Sequence, residues 1–424
     1  MYLRGIVVLD NASFNVKAGR QEREMLKKSL LATVLLAVTV ALQAVAADTP
    51  GVTATEIKIG NTSPYSGPAS AASVIAKLET AFFKMVNDQG GVAGRKINFI
   101  SLDDGYSPPK TVEQVRRLIE ENQVVLLFNT VGAATNSAIE RYVNQKKVPH
   151  LFIGGGADKF ADYENFPWTM GFQPSYRTEA QIYAKYILKE KPNAKIAILY
   201  QNDDFGKGYL AGMKDVLGDR FDKMVVTASY EATDPTIDSQ ITSLQGADAN
   251  VLLVAAIPKF AAQAIRKVHD LDWKPLFFMS NISANIATVI IPAGPENAIG
   301  MITAGYLKDP SEPKSKNDAS MNEWRDFMAK YMPGANTSDG SYAYAYAVSK
   351  AMLQVLKQCE GDFTRENIMK QAANLHDLEI PTLLPGIKVN TSPTNYHPIR
   401  QMLLVKFDGT HWVALGDLST GAGN

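Results

Sequence analysis

The apolar positions of this chain fall in short blocks that alternate between two spacings. Compact, mostly apolar runs at 57–60, 97–102, 124–128 and 151–153 predict buried parallel strands. Between them the spacing turns helical. Residues 74–87 put Leu78, Phe82 and Met85 on one stripe, and Gly90-Gly91 follows as a helix stop. Pro108-Pro109 opens a second helix with Val112, Val115, Leu118 and Ile119 inward. The third strand runs through Gly132, Ala133 and Ala134 into a helix that the Ser137…Glu140 spacing marks with a capping box. Side chains this small leave backbone N–H groups facing outward at the positive end of a helix dipole, which is a seat for an anion. The same residues also suit an ordinary strand-to-helix turn.

Residues 166–172 break the rhythm and read as a crossing, after which it restarts. Helices are predicted over 180–189, 205–217, 237–244 and 259–271, and strands over 195–200, 224–230, 251–255 and 276–279. A second crossing is read near 301–306, and 309–318 is a polar, proline-bearing loop. Helices follow at 321–331, 340–357 and 364–373. Residues 399–407 and 411–415 flank Asp408-Gly409 as a β-hairpin. Strand–helix alternation with short links means parallel sheets covered by helices on both faces. Two such units in series, with a last third returning to both, predict two lobes: 52–172 plus 305–385, and 173–304 plus 386–424. Ligands bind beyond the carboxyl ends of such strands. The loops at those ends are 63–66, 103–106, 130–135, 154–158, 202–205 and 280–283.

Composition narrows the function. The chain has 424 residues with 43 charges of each sign, a balance that argues against nucleic acid as partner. Lys27-Lys28, an apolar stretch over 30–45 and Ala44-Val45-Ala46 form an export signal, 25–46, with its cleavage site. Residues 1–24 are expected to be an upstream artefact, with translation starting at Met25. Nothing later reaches the roughly 18 apolar residues of a membrane span. Cys359 is the single cysteine, so no internal disulfide forms.

Catalytic patterns are absent. The five histidines show no HExxH spacing, and there is no GxSxG elbow or GxxxxGK[ST] loop. Asp103-Asp104 sits at a strand end, where neighbours point to opposite faces, and Asp203-Asp204 reads as a helix cap. Neither a metal nor another cofactor is expected.

The order and spacing of several segments resemble the periplasmic substrate-binding proteins of ABC transporters, of the leucine/isoleucine/valine-binding type. These are IKIGNTSPYSGPAS (57–70), NDQGGVAGRKI (87–97), LDDGYSPPKTVEQVRRLI (102–119), VGAATNSAIERYV (131–143), KVPHLF (147–152), AKYILKEKPNAKIAILYQNDDFGKGYL (184–210) and WKPLFFMS (273–280). The resemblance implies an α/β, two-lobed type I periplasmic-binding-protein fold with three interlobe crossovers, no catalysis, and a ligand trapped between lobes. It also implies a periplasmic location, an inner-membrane ABC permease as partner, and a monomer. In amino-acid-binding relatives a hydroxyl and backbone N–H groups hold the ligand carboxylate, and an acidic side chain of the second lobe holds its ammonium. Here the hydroxyl positions fall at Gly132 and Asp158, the second-lobe tyrosine at Phe205, and the acid near Asn281 or Ile282. The ligand-binding set implied is Tyr65, Ser66, Tyr106, Gly132, Ala133, Ala134, Gly156, Ala157, Asp158, Phe205, Asn281 and Ile282. An ammonium buried without a carboxylate costs several kcal/mol, so a carboxylate ligand lacking the amine is favoured, an aromatic or short organic acid. If Asp158 turns inward, hydrophobic amino acids return. Tyr342 and Tyr346 share a helix face and read as packing. The same fold also serves ligand-sensing receptors and regulators, which is the alternative reading.

Overall fold

The computed structural model describes residues 49–421; the expected export signal, 25–46, and the segment before it lie outside that range. The first sheet is built around β1 (Glu56–Ser63), with order β2-β1-β3-β4-β5 and every pair parallel. Its other strands are β2 (Lys96–Asp103), β3 (Leu126–Phe128), β4 (His150–Ile153) and β5 (Thr169–Gly171). The helices α1 (Ser73–Asp88), α2 (Pro108–Arg116) and α3 (Ala133–Gln145) connect them. β3 and β4 are wholly buried, which is why their sequences read as unbroken apolar runs.

The second sheet has seven strands in the order β12-β11-β10-β9-β8-β6-β7. The strands β6 (Ile196–Gln201), β7 (Val225–Tyr230), β8 (Val251–Ala255), β9 (Leu276–Met279) and β10 (Ile302–Gly305) pair in parallel. The hairpin β11 (Met402–Phe407) and β12 (Trp412–Ser419) adds an antiparallel edge. Gly409, at φ 108°, supplies the turn conformation that other residues resist. Helices α4 (Tyr176–Glu190), α5 (Asp204–Leu217), α6 (Asp238–Gln245) and α7 (Pro258–Asp270) belong to this part.

Helices α8 (Asn322–Tyr331), α9 (Gly340–Gln358) and α10 (Arg365–Ala372) return to the first sheet. Tyr346 of α9 meets Phe82 of α1 edge-on at 5.5 Å between ring centres. The Arg365 guanidinium donates to the carbonyls of Val124 (2.9 Å) and Val125 (3.0 Å), tying α10 to the entry of β3. Cys359, at the end of α9, is buried, and burial pushes its thiol up to about 12. The chain therefore passes between the sheets three times: after β5, after β10 and before β11.

The structure corrects four sequence readings. Residues 166–172 are not a plain crossing, because Thr169–Gly171 forms the fifth strand and buries Met170. Residues 301–306 likewise contain β10 before the chain leaves the sheet. The loop 309–318 carries the short helix Pro313–Asn317, opened by proline at its first position. The capping box does not form. Gly132, at φ 108°, ends the extended chain and serves as N-cap, so Ser137 and Glu140 lie inside α3 with their side chains committed elsewhere.

Candidate ligand-binding cleft

The carboxyl ends of both sheets face a shared cavity of about 420 Å³. On the first-sheet side the Gly132 tip of α3 forms its wall. A Cβ on Gly132 would stand 2.6 Å from both the Thr135 hydroxyl and the Tyr106 ring, so only glycine lets that ring lie across the helix start. The tip is pinned from beneath. Gly132 N–H donates to the Gly154 carbonyl (3.0 Å), and the Asn136 amide donates to the carbonyls of Gly132 (2.5 Å) and Thr130 (2.9 Å). Thr130 in turn meets His150 Nε2 at 2.6 Å; burial lowers the His150 pKa to about 3, so the imidazole is neutral. The next first-turn amides, of Ala133 and Ala134, have no intrahelical acceptor.

On the second-sheet side Asp203 caps α5, its carboxylate accepting from the N–H groups of Phe205 (3.0 Å) and Gly206 (3.3 Å). That cap presents Phe205 to the cavity, packed edge-on against Tyr176 at 4.8 Å. Beyond β9, Asn281 and Ile282 complete this wall. Asn281 is held from behind: its N–H donates to Glu179 Oε1 at 2.9 Å and its side-chain amide donates to Glu179 Oε2. Glu179 is fully buried, also accepts from the Tyr183 hydroxyl, and burial raises its pKa to about 7.

The two sides touch. Ser137 of α3 donates to Asp204 of α5, and Lys159 reaches Asp204 at 3.7 Å and Glu140 at 3.1 Å. The Tyr106 phenol lies beside Gln201 and Asp203, with burial raising its pKa. The two walls are thus closed on each other at the Gly132–Phe205 end.

Five of the residues singled out from sequence, Tyr106, Gly132, Phe205, Asn281 and Ile282, line this one cavity. Ala133 and Ala134 form the first turn behind Gly132. Tyr65 and Ser66 stand at the end of β1, where Tyr65 donates to Ser101 (2.8 Å) and Ser66 to Asp103 (2.7 Å). Gly156 packs under Tyr176, accepting its N–H at 2.8 Å. Ala157 is buried just ahead of Asp158. Asp158 faces a separate polar recess with Arg177, Asp215, His397 and Arg400, and pairs with Arg177 at 3.7 Å.

Sequence reasoning missed Tyr176 and Tyr344, which also line the cavity. Tyr344 donates to Asn129 Oδ1 at 2.8 Å, while Tyr346 on the same helix packs in the core. The alternating tyrosines were the available signal: residues two apart on a helix face nearly opposite ways. All four charged residues of the lining, Lys308, Asp309, Glu312 and Lys314, belong to one segment after β10. Among the described residues no His, Cys, Asp or Glu cluster could hold a metal ion, and no helix is long and apolar enough to cross a membrane.

The sequence model of the periplasmic binding protein family matches residues 56–411. Leu/Ile/Val-binding protein homolog 7 of Brucella suis biovar 1 (strain 1330) is 23% identical over 334 residues, 76% of this chain and 82% of the relative. A branched chain amino acid ABC transporter protein from Thermus thermophilus, solved with bound valine, superposes with a TM-score of 0.76 at 14% identity, covering 88% of this chain and 98% of its own. A fatty acid ABC transporter substrate-binding protein from Thermomonospora curvata gives 0.74 at 18% identity, covering 88% and 94%. With a family match spanning most of its length, and two mostly parallel sheets crossed three times, this chain belongs to the periplasmic binding protein family and has its type I fold.

Proposed function

We propose that this protein is the solute-binding subunit of an ABC importer, capturing a small carboxylate between its lobes and handing it to an inner-membrane permease without chemical change. The observation that carries this reading is the cavity itself: the helix tip at Gly132 on one wall, and side chains of Phe205, Tyr176, Ile257 and Ile282 on the other. A carboxylate at that tip gains the positive end of the helix dipole. The lobes, 52–172 with 305–385 and 173–304 with 386–424, would hinge at the three crossings. The relatives' names point to branched-chain amino acids, but the wall that would hold an ammonium offers Asn281 and Ile282. The nearby Glu179 carboxyl is already engaged by Asn281 and Tyr183. A plain acid, aromatic or short, therefore fits better than an amino acid.

A thermal-shift screen tests this. Benzoate- and cinnamate-like acids should raise the melting temperature by several degrees at concentrations of about a hundred times Kd, and leucine-like amino acids should raise it less. Equal or greater shifts from the amino acids would reverse the ligand assignment. No shift from any acid or amino acid would remove the transport reading.

A further inference from the structure

The cavity does not stop between Gly132 and Phe205. It continues along the β11–β12 hairpin, where Leu403, Val405, Trp412 and Ala414 line it. Val405 is paired directly opposite Ala414, and Leu403 and Trp412 lie two residues away on their respective strands. Side chains two apart share a face of a strand, so these four make one apolar strip, while Lys406 and Val413, paired with each other, point the other way. Leu307 and Leu384 face the same space from the first-sheet side.

The two ends of the cavity differ. At the Gly132 end, Ser137 and Lys159 hold the walls together through Asp204. At the hairpin end, Ala414 is exposed and Trp412 only half-buried, its ring tilted against Phe407 at 5.4 Å. A helix tip at the closed end and an apolar strip along one wall, with Lys308, Asp309, Glu312 and Lys314 bordering the same cavity, suit an amphipathic acid. Its volume of about 420 Å³ lies within the roughly 300–1,000 Å³ of sites for drug-sized ligands, larger than a short acid needs.

We propose that the hairpin strip is a second subsite, taking the apolar tail of a ligand whose carboxylate sits at the Gly132 tip, so that the preferred guests are alkyl or arylalkyl acids rather than short ones. This rests on the carboxylate reading above and narrows it. Burying one methylene strengthens binding by roughly three- to four-fold, so affinity should climb with each carbon until the trough is filled.

The experiment is titration calorimetry on the purified protein with two series below their micelle concentrations: alkanoates from butanoate to dodecanoate, and phenylalkanoates from phenylacetate to phenylhexanoate. Trp412 is one of four tryptophans, so its emission is read as the difference between the protein and its Trp412→Phe variant and gives a fluorescence signal for the tail. The expected result is a rising affinity along at least one series, the steeper one identifying the tail type, with the slope flattened in Ala414→Trp and Trp412 emission changing only with the longer members. Ala414 is exposed, and circular dichroism together with a melting curve confirms that the variant folds. Equal affinity for short and long acids would overturn the subsite while leaving the carboxylate reading intact. A slope unaffected by Ala414→Trp would place the tail elsewhere and also overturn it. Failure of every acid to bind would overturn both.

Discussion

The Ser137 hydroxyl donates to the Asp204 carboxylate, joining the N-terminal halves of two helices that follow strands of different sheets. Asp204 also draws in Lys159. If the lobes hinge as proposed, both contacts form only with the walls together and stabilise the closed form over the open one. One hydrogen bond of about 1 kcal/mol and an exposed ion pair of about 0.2–1 kcal/mol are at stake. Asp204→Ala should weaken ligand binding by up to about eight- to thirty-fold, chiefly through faster release. Stopped-flow dissociation of the bound acid measures it, and an unchanged release rate would show that the pair does not hold the cleft shut.

Gly132→Ala should harm both fold and site. The added methyl needs a backbone at φ 108° and would collide with Thr135 and Tyr106. Such strain costs of order 1–3 kcal/mol. Urea unfolding should show that loss, and calorimetry should show weaker acid binding because the Tyr106 ring is displaced.

Glu79 makes stability depend on pH. It is fully buried on α1, hydrogen-bonded to Asn129, and burial raises its pKa to about 8. The folded state therefore keeps a proton that the unfolded chain has lost above its ordinary carboxylate pKa. Stability falls where the unfolded state binds fewer protons, so this group lowers the melting temperature as pH rises from about 5 to about 8, and Glu179 acts the same way up to about 7. Melting curves of Glu79→Gln, which keeps the acceptor for Asn129 but cannot ionise, should show a shallower decline over that window. Identical slopes in the two proteins would exclude Glu79 as a source.

Asp158→Ala should leave binding of a plain acid within about two-fold, since the carboxylate pairs with half-exposed Arg177 in a different recess, and such pairs contribute about 0–1 kcal/mol to stability. A large loss of affinity on titration would mean that Asp158 swings into the cleft when ligand is present.

Much of this architecture could be read from residue order. The strand–helix alternation was legible because runs such as 251–255 are buried on both sides and admit little but apolar residues. The Asp408-Gly409 turn announced the hairpin by its chemistry. Two strands, β5 and β10, escaped because they are three and four residues long and lie at the very points where the chain changes sheets. The start of α3 was misplaced because a capping box is a local pattern, while the positive φ of Gly132 and the pull of Asp204 on Ser137 are set by tertiary contacts. In the cleft, Tyr106, Gly132, Phe205, Asn281 and Ile282 sit in strand-end loops, which topology alone brings to one place. Tyr176 and Tyr344 lie within helices; α9 is buried almost all round, so periodicity singles out no face. The direction of Asp158 depends on Arg177, more than one element away, and no spacing rule reports it.

The buried thiol at the end of α9 has a practical consequence. With Cys359 sealed in the core and no second cysteine to partner it, folding needs no oxidising compartment, and maleimide reagents at neutral pH should pass this sulfur by. A cysteine engineered at exposed Ala414 could then carry a single dye on an otherwise unmodified protein, turning the mouth of the trough into an optical gauge of what enters it.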